Sequence, residues 1–222
     1  MVPSVKLILI GCVFLLSQFS ISDSARILGH FITPSKSHLI IHDAIMSALA
    51  DRGHNVTMIT TIPFATRNPN IRHIQLQQHT PSIQYYSTLI NTRPPWYHRV
   101  YDNIKIISTY TNFAFNDPQM KQLMDEEPFD LVIQGYLFND FLFGLKAHFK
   151  CPIVLSLVVR QIGAINGFVG NPQEAAYVPS LLSGDKQPLG FFNRVKNFVY
   201  IKFLEDMLLS SYYEWYQSDI YR

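Results

Sequence analysis

Residues 26–63 read RILGHFITPSKSHLIIHDAIMSALADRGHNVTMITTIP, a strand, a helix and a second strand in one run. Arg26–Thr33 is rich in Ile, Leu and Phe, which suits a strand buried on both faces. Pro34 ends it, since proline supplies no ladder donor and pushes the residue before it away from helix. Ser35 and Ser37 are N-cap residues for a helix expected from about His38 to Arg52. Spacing gives that helix an inward face of Leu39, Ile41, Ile45, Ala48 and Leu49. Gly53 stands where a helix end wants a positive φ, and Arg52 complements the negative end of the helix dipole. Asn55–Ile62 then reads as a second strand. Two strands joined by one helix are most simply parallel with a right-handed crossover, a βαβ unit of an α/β domain.

In such a sheet, chemistry gathers at the carboxyl ends of strands and the helix starts that follow. Here that place is Thr33-Pro34-Ser35-Lys36-Ser37-His38. It holds no Gly-x-Gly-x-x-Gly, so a dinucleotide turn is unsupported. His38 falls in the first turn of the helix, where the positive end disfavours a second proton on the ring. A neutral imidazole there suits a general base; the plainer alternative is a surface histidine at a loop-to-helix junction. His38 and His42 have the spacing of a metal-gripping pair, but no third ligand follows at useful spacing, and no metal site is expected.

The first 24 residues carry one basic residue, Lys6, an apolar run Leu7–Leu16, and then Ser20, Ser22 and Ser24. They read as a signal peptide cut before Asp23 or Ala25, with an uncleaved anchor as the alternative. Residues 25–222 are expected to form one domain with ample core. The chain is 48% hydrophobic, 14% aromatic and 15% charged, too apolar for disorder. A net charge of +2 with scattered Lys and Arg argues against a nucleic-acid partner. Cys12 leaves with the signal, and Cys151, beside Pro152, reads as a small buried hydrophobe rather than a nucleophile. Asn55-Val56-Thr57 is the one glycosylation sequon, at the mouth of a strand where a glycan would compete with the fold.

Farther on, Ile71–Leu76 is a short strand. Aromatics cluster between Tyr85 and Phe115, around helices expected at about Tyr85–Asn91 and Tyr97–Phe113. They are either ordinary core or the wall of an apolar pocket. Asn116 or Asp117 caps a helix opening at Pro118 and running to about Glu127. Phe129–Ile133, a helix Phe141–Phe149 capped by Asn139, and a strand Ile153–Val159 make a second βαβ unit. Gln161–Asn171 is a glycine-rich loop bordering the same cleft. Phe191–Tyr221 reads as a long amphipathic helix with Phe192, Val195, Val199, Phe203 and Met207 along one face. That face either packs on the domain's own sheet or is left exposed and wants a partner.

The string S-K-S-H-L-(x)9-L-A-D-R-G-H-N-V-T from Ser35 to Thr57 resembles the membrane-bound UDP-glycosyltransferases, the UDP-glucuronosyltransferase-like family, in their insect form. Phe129-Asp130-Leu131-Val132-Ile133, and Gly170-Asn171-Pro172 followed by Tyr177-Val178-Pro179, agree with it in order and spacing. The resemblance covers the chain from signal peptide to Arg222. It implies the N-terminal, acceptor-binding half of a GT-B type enzyme, a Rossmann-like parallel sheet with helices on both faces. It implies that His38 deprotonates the acceptor hydroxyl while a hexose, glucose or glucuronic acid, leaves its UDP. It favours the pocket reading of the aromatics, with Ser37, Tyr85, Trp96, Tyr97 and Phe113 as acceptor-binding candidates.

The implied partners are a small lipophilic acceptor, a UDP-sugar co-substrate held by a missing C-terminal half, the membrane in the full-length form, and a further copy of the chain in a homo-oligomer. No bound cofactor is implied. The compartment is the endoplasmic reticulum lumen or membrane, or the exterior if the chain ends at Arg222. The sequence departs from the family just past Ile133. An acidic residue that orients the histidine is usual there, and this chain has Gly135, between Gln134 and Tyr136. Asp140 is a distant substitute, better read as a helix-start acid. Without the donor half, the 222-residue chain is expected to transfer no sugar. The alternative function is a half-length luminal protein that sequesters small lipophilic molecules. A secreted hydrolase fails for want of a Gly-x-Ser-x-Gly elbow.

Overall fold

The computed structural model describes residues 24–76, 84, 87–88, 91–92, 95–125, 128–137, 139–158, 165–166, 169–171, 174–180 and 185–203. The proposed signal peptide lies outside them except for its last residue. Five strands form one parallel sheet: β1 (Arg26–Phe31), β2 (Asn55–Thr60), β3 (Ile71–Gln75), β4 (Leu131–Gly135) and β5 (Ile153–Ser156), in the order β3-β2-β1-β4-β5. Every neighbouring pair is parallel, with Arg26 opposite Asn55 and Ile27 opposite Leu131. The central strands are nearly continuous apolar runs because helices cover both faces. Ile27, Leu28, Phe31, Val56, Met58, Ile59 and Val132 are all buried.

Helix α1 (Lys36–Ala50) makes the first crossover and ends before Gly53, whose φ of +88° lies in the left-handed region that favours glycine. Its inward face differs from the one that spacing predicts. Leu39, His42, Asp43, Met46 and Ala50 are buried, whereas Ile41 and Ile45 are 48% and 38% exposed. The cause is Gly29 on β1. A Cβ there would stand 2.6 Å from Met46 Cε, so the notch left by the glycine is where Met46 seats, and this sets the rotation of the helix. The two polar residues brought inward find partners. The Asp43 carboxylate accepts from Thr66 Oγ1 at 2.6 Å and from the Arg67 amide at 3.4 Å, and His42 meets Ser156. Gly29→Ala should therefore destabilise the domain by about 1–3 kcal/mol, the usual cost of overpacking. Met46 is flexible enough to yield, but a new Cβ would also lie 2.6 Å from Phe31 Cε2 in a stacked ring. Equilibrium urea unfolding measures the difference, and an unchanged midpoint would refute the notch.

Helices α2 (Trp96–Asn116) and α3 (Pro118–Asp125) follow. Asp117 caps α3, its Oδ1 accepting from the Gln119 amide at 2.8 Å, with Pro118 in the first helical position. Ile106, Tyr110 and Ala114 of α2 enter the core, and the Phe115 ring lies 6.5 Å from that of His30. His30 points away from the face that Gly29 and Phe31 share, so α2 and α1 cover opposite faces. After β4 the chain forms a 3-10 turn (Asp140–Phe143) and helix α4 (Gly144–Phe149) before β5. Asn139 does not cap a helix as expected. Its side chain folds back, Oδ1 accepting from the Leu137 amide and Nδ2 donating to Gly135 O, both at 3.0 Å.

Helix α5 (Phe191–Val199) keeps only part of its expected length within the described residues. Its apolar face does not pack on the sheet. Phe191 and Phe192 are 73% and 83% exposed, and Val195, Val199 and Phe203 are exposed as well. Asn197 faces inward instead, accepting from the Ser180 amide and donating to the carbonyls of Ala175 and Val178. These bonds tie the helix to the preceding loop by its polar side. No helix among the described residues is long and apolar enough to cross a membrane.

Candidate functional site

The strand order reverses direction between β1 and β4. Crossovers on the two sides of that point leave the sheet toward opposite faces, which opens a crevice at the carboxyl ends of the two strands. The chain that lines it comes from the turn between Phe31 and Lys36, the first turn of α1, and the segment after Gly135. His38 is in that first turn. It is half-buried, and burial holds its imidazole below the ordinary histidine pKa of 6.5, so the ring is neutral at pH 7. Ser35 is the N-cap residue by backbone geometry, but its hydroxyl makes no capping bond. It pairs with the Ser37 hydroxyl at 2.9 Å and leaves the positive helix end without a side-chain cap. A neutral imidazole at such a place is able to accept a proton from a hydroxyl.

One turn along α1, His42 lies in the floor of the crevice. Its ring stacks on Phe31 with centroids 4.2 Å apart and planes 7° from parallel. Its Nδ1 is 3.2 Å from Ser156 Oγ at the end of β5. Burial, and then the positive charge of His38 when protonated, push its pKa down to about 4. Near the end of β4, the Gln134 side chain donates to Asn139 O at 3.2 Å, and just past the strand the Tyr136 amide donates to Ser156 O at 2.9 Å. Buried Tyr136 and Ile165, with Phe143, Leu155 and Leu157, form a small apolar cluster beyond the carboxyl ends of β4 and β5.

Of the acceptor-binding candidates, Ser37 is exposed beside His38. Tyr85 and the side chains of Trp96 and Tyr97 lie outside the described residues. The Trp96 end of α2 nevertheless points the right way. A crossover helix returns antiparallel to the strands, Phe115 is level with His30, and a 21-residue helix at 1.5 Å per residue is about 30 Å long. Its first turns therefore reach past the carboxyl edge of the sheet. Phe113 sits 38% exposed near the other end of α2, across the sheet from α1. The aspartate considered as a substitute acid, Asp140, opens the 3-10 turn, and its side chain lies outside the described residues. Cys151 is buried, and burial pushes its thiol up, with Asp130 adding to the effect, as befits an unreactive core cysteine. Spacing alone did not flag Phe31, Ser156 or Tyr136, since none belongs to a motif.

No protein-family model matches the chain. It is 29% identical over 184 residues to a UDP-glucosyltransferase 2 of Dactylopius coccus, covering 80% of this chain and 35% of that protein. It is 26% identical over 207 residues to human UDP-glucuronosyltransferase 3A1, covering 86% of this chain and 38% of that one. A stretch of 67 residues is 42% identical to an ecdysteroid UDP-glucosyltransferase of a Lymantria dispar nuclear polyhedrosis virus. Among solved structures it is similar to the calicheamicin glycosyltransferase CalG4, with a TM-score of 0.45, 16% identity, and coverage of 86% of this chain and 45% of that one. The chain is thus similar to UDP-glycosyltransferases, and it spans little more than a third of the length of the curated proteins it matches.

Proposed function

We propose that this chain is the acceptor side of an inverting UDP-glycosyltransferase, with His38 as its general base. One observation carries the reading: a neutral, half-buried imidazole stands in the first turn of α1, on the crevice between β1 and β4. His38 takes the proton of an acceptor hydroxyl as the oxygen attacks the anomeric carbon, and UDP departs with the electrons of the broken bond. The apolar side chains at and past the ends of β4 and β5 give the acceptor a lipophilic wall. A second α/β half binds the UDP-sugar, with glucose or glucuronic acid as the hexose, in keeping with the names of the relatives. The endoplasmic reticulum lumen is the compartment that goes with the signal-like residues 1–24.

A second reading, a luminal protein that sequesters lipophilic molecules, is favoured by Gly135, which puts no carboxylate beside the histidines. The full-length polypeptide encoded by the transcript separates the two. Incubated with UDP-glucose or UDP-glucuronic acid and a lipophilic alcohol, it is expected to release UDP only when the alcohol is present. Tight binding of the alcohol with no UDP released from either donor would replace the enzyme by the binding protein.

A further inference from the structure

Helix α1 carries two imidazoles one turn apart, His38 at the crevice and His42 in its floor, the latter only 2% exposed. Three strands fix the His42 ring. Phe31 of β1 lies flat against it, Ser156 of β5 meets its Nδ1, and Gly135 of β4 lies under its other nitrogen. A Cβ added at Gly135 would stand 3.0 Å from His42 Nε2 and 2.9 Å from Phe31 Cδ1, so the bare backbone is what lets the ring seat. For packing alone, a phenylalanine would serve better here, because a buried imidazole carries a desolvation cost that a benzene ring does not. What the imidazole adds is a hydrogen-bonding edge one turn from His38, on the same face of the helix. Among the described residues, the groups facing it are Phe31, Gly135 and Ser156 from the sheet and one titratable group, His38, from its own helix.

Resting on the reading of His38 as the base, we propose that His42 is its positioning residue and Gly135 the seat that His42 requires. The two form a complementary pair: the imidazole fills the volume at the end of β4 that a longer side chain would need. A neutral hydrogen-bonding ring therefore adjoins the base where a carboxylate would otherwise fit. A carboxylate would stabilise the protonated form of His38 strongly and raise its pKa, whereas the dipole of a neutral ring does so only weakly. His38 therefore works as a weak, readily deprotonated base, oriented by packing rather than by a counter-charge.

The pair is tested on the 222-residue chain without sugar or donor, so the result does not depend on whether transfer occurs. The His38 ring is titrated by NMR, and thermal midpoints are measured, for wild type, Gly135→Asp, His42→Ala and the double variant. Gly135→Asp alone should lower the midpoint by several degrees, and the same change should cost far less when His42 is already alanine. In the double variant the His38 pKa should rise by about one unit, as for an imidazole beside a carboxylate. His42→Phe keeps the stack on Phe31 and the fold, so it serves if the aspartate variants do not fold. It removes the polar edge, and the His38 pKa should fall further. Additive midpoints, or a His38 titration unmoved by His42→Phe, would overturn the pairing. A titration that moves as stated in a protein that releases no UDP would instead remove the catalytic reading and leave the pair standing.

Discussion

His38→Ala in the full-length polypeptide is expected to lower kcat for sugar transfer by about 10²–10⁴-fold, the range a positioned general base contributes. On the proposed reading KM for the acceptor should change little, because apolar contacts rather than the imidazole would hold the acceptor. The pH dependence supplies a second check. Only the unprotonated ring takes the hydroxyl proton, so kcat/KM should fall as pH drops through the His38 pKa. Burial sets that pKa below 6.5, so activity should persist to lower pH than for an ordinary surface histidine. His38→Gln keeps a polar group of similar size and should be as inactive as alanine. Transfer that survives either substitution within a few-fold would take the base role away from His38.

Acid should unfold this domain early. His30 on β1 is fully buried, neither ring nitrogen has a hydrogen-bond partner among the described residues, and burial holds its pKa down to about 4. His42 is held down to about 4 as well. In the unfolded chain both rings protonate near 6.5. Between these values the unfolded state binds more protons than the folded one, so stability is lost as pH falls through this window. Above 6.5 both states are neutral, and neither ring makes stability depend on pH. At 1.36 kcal/mol per pKa unit, each histidine removes roughly 3 kcal/mol between pH 6.5 and pH 4. Against a total stability of about 5–15 kcal/mol, the two together are a large fraction. His30→Leu removes one of the two groups together with an unsatisfied polar ring, and should shift the acid-unfolding midpoint to clearly lower pH. Circular dichroism over urea at pH 7.5, 5.5 and 4.5 gives the slope, and a wild-type stability that is flat across this range would refute the account.

The elements whose signals are local were legible in the sequence. Pro34, Gly53 and the Asp117-Pro118 pair act through their own backbone geometry, and the chain turns where they stand. The run of Ile, Leu, Val and Phe in β1, β2 and β4 shows a sheet covered on both faces, because only such a sheet hides strands that are apolar throughout. His38 could be picked out because its place in the first turn of a helix after a strand follows from the same local signals. Asn139 departs from the expected cap for a related reason: its side chain suits a helix cap and a bend in the preceding loop equally well.

Local signals along the chain thus establish the parallel βαβ plan and place one imidazole at the sheet's carboxyl edge. Which side of α1 turns inward depends instead on contacts made across the fold. Apolar spacing put Ile41 and Ile45 there, but the Gly29 notch accepts Met46, and filling a void between helix and sheet outweighs hiding two isoleucines. The same rotation carries His42 to Phe31 and to Ser156, which is 114 residues away in the chain. No periodicity within α1 encodes a serine at the end of β5 or a glycine at the end of β4. α5 shows the rule from the other side: its pattern marks an apolar face, yet the bonds of Asn197 turn that face away from the sheet. A helical pattern states that a face exists, and the volumes and polar partners offered by distant segments choose where it points.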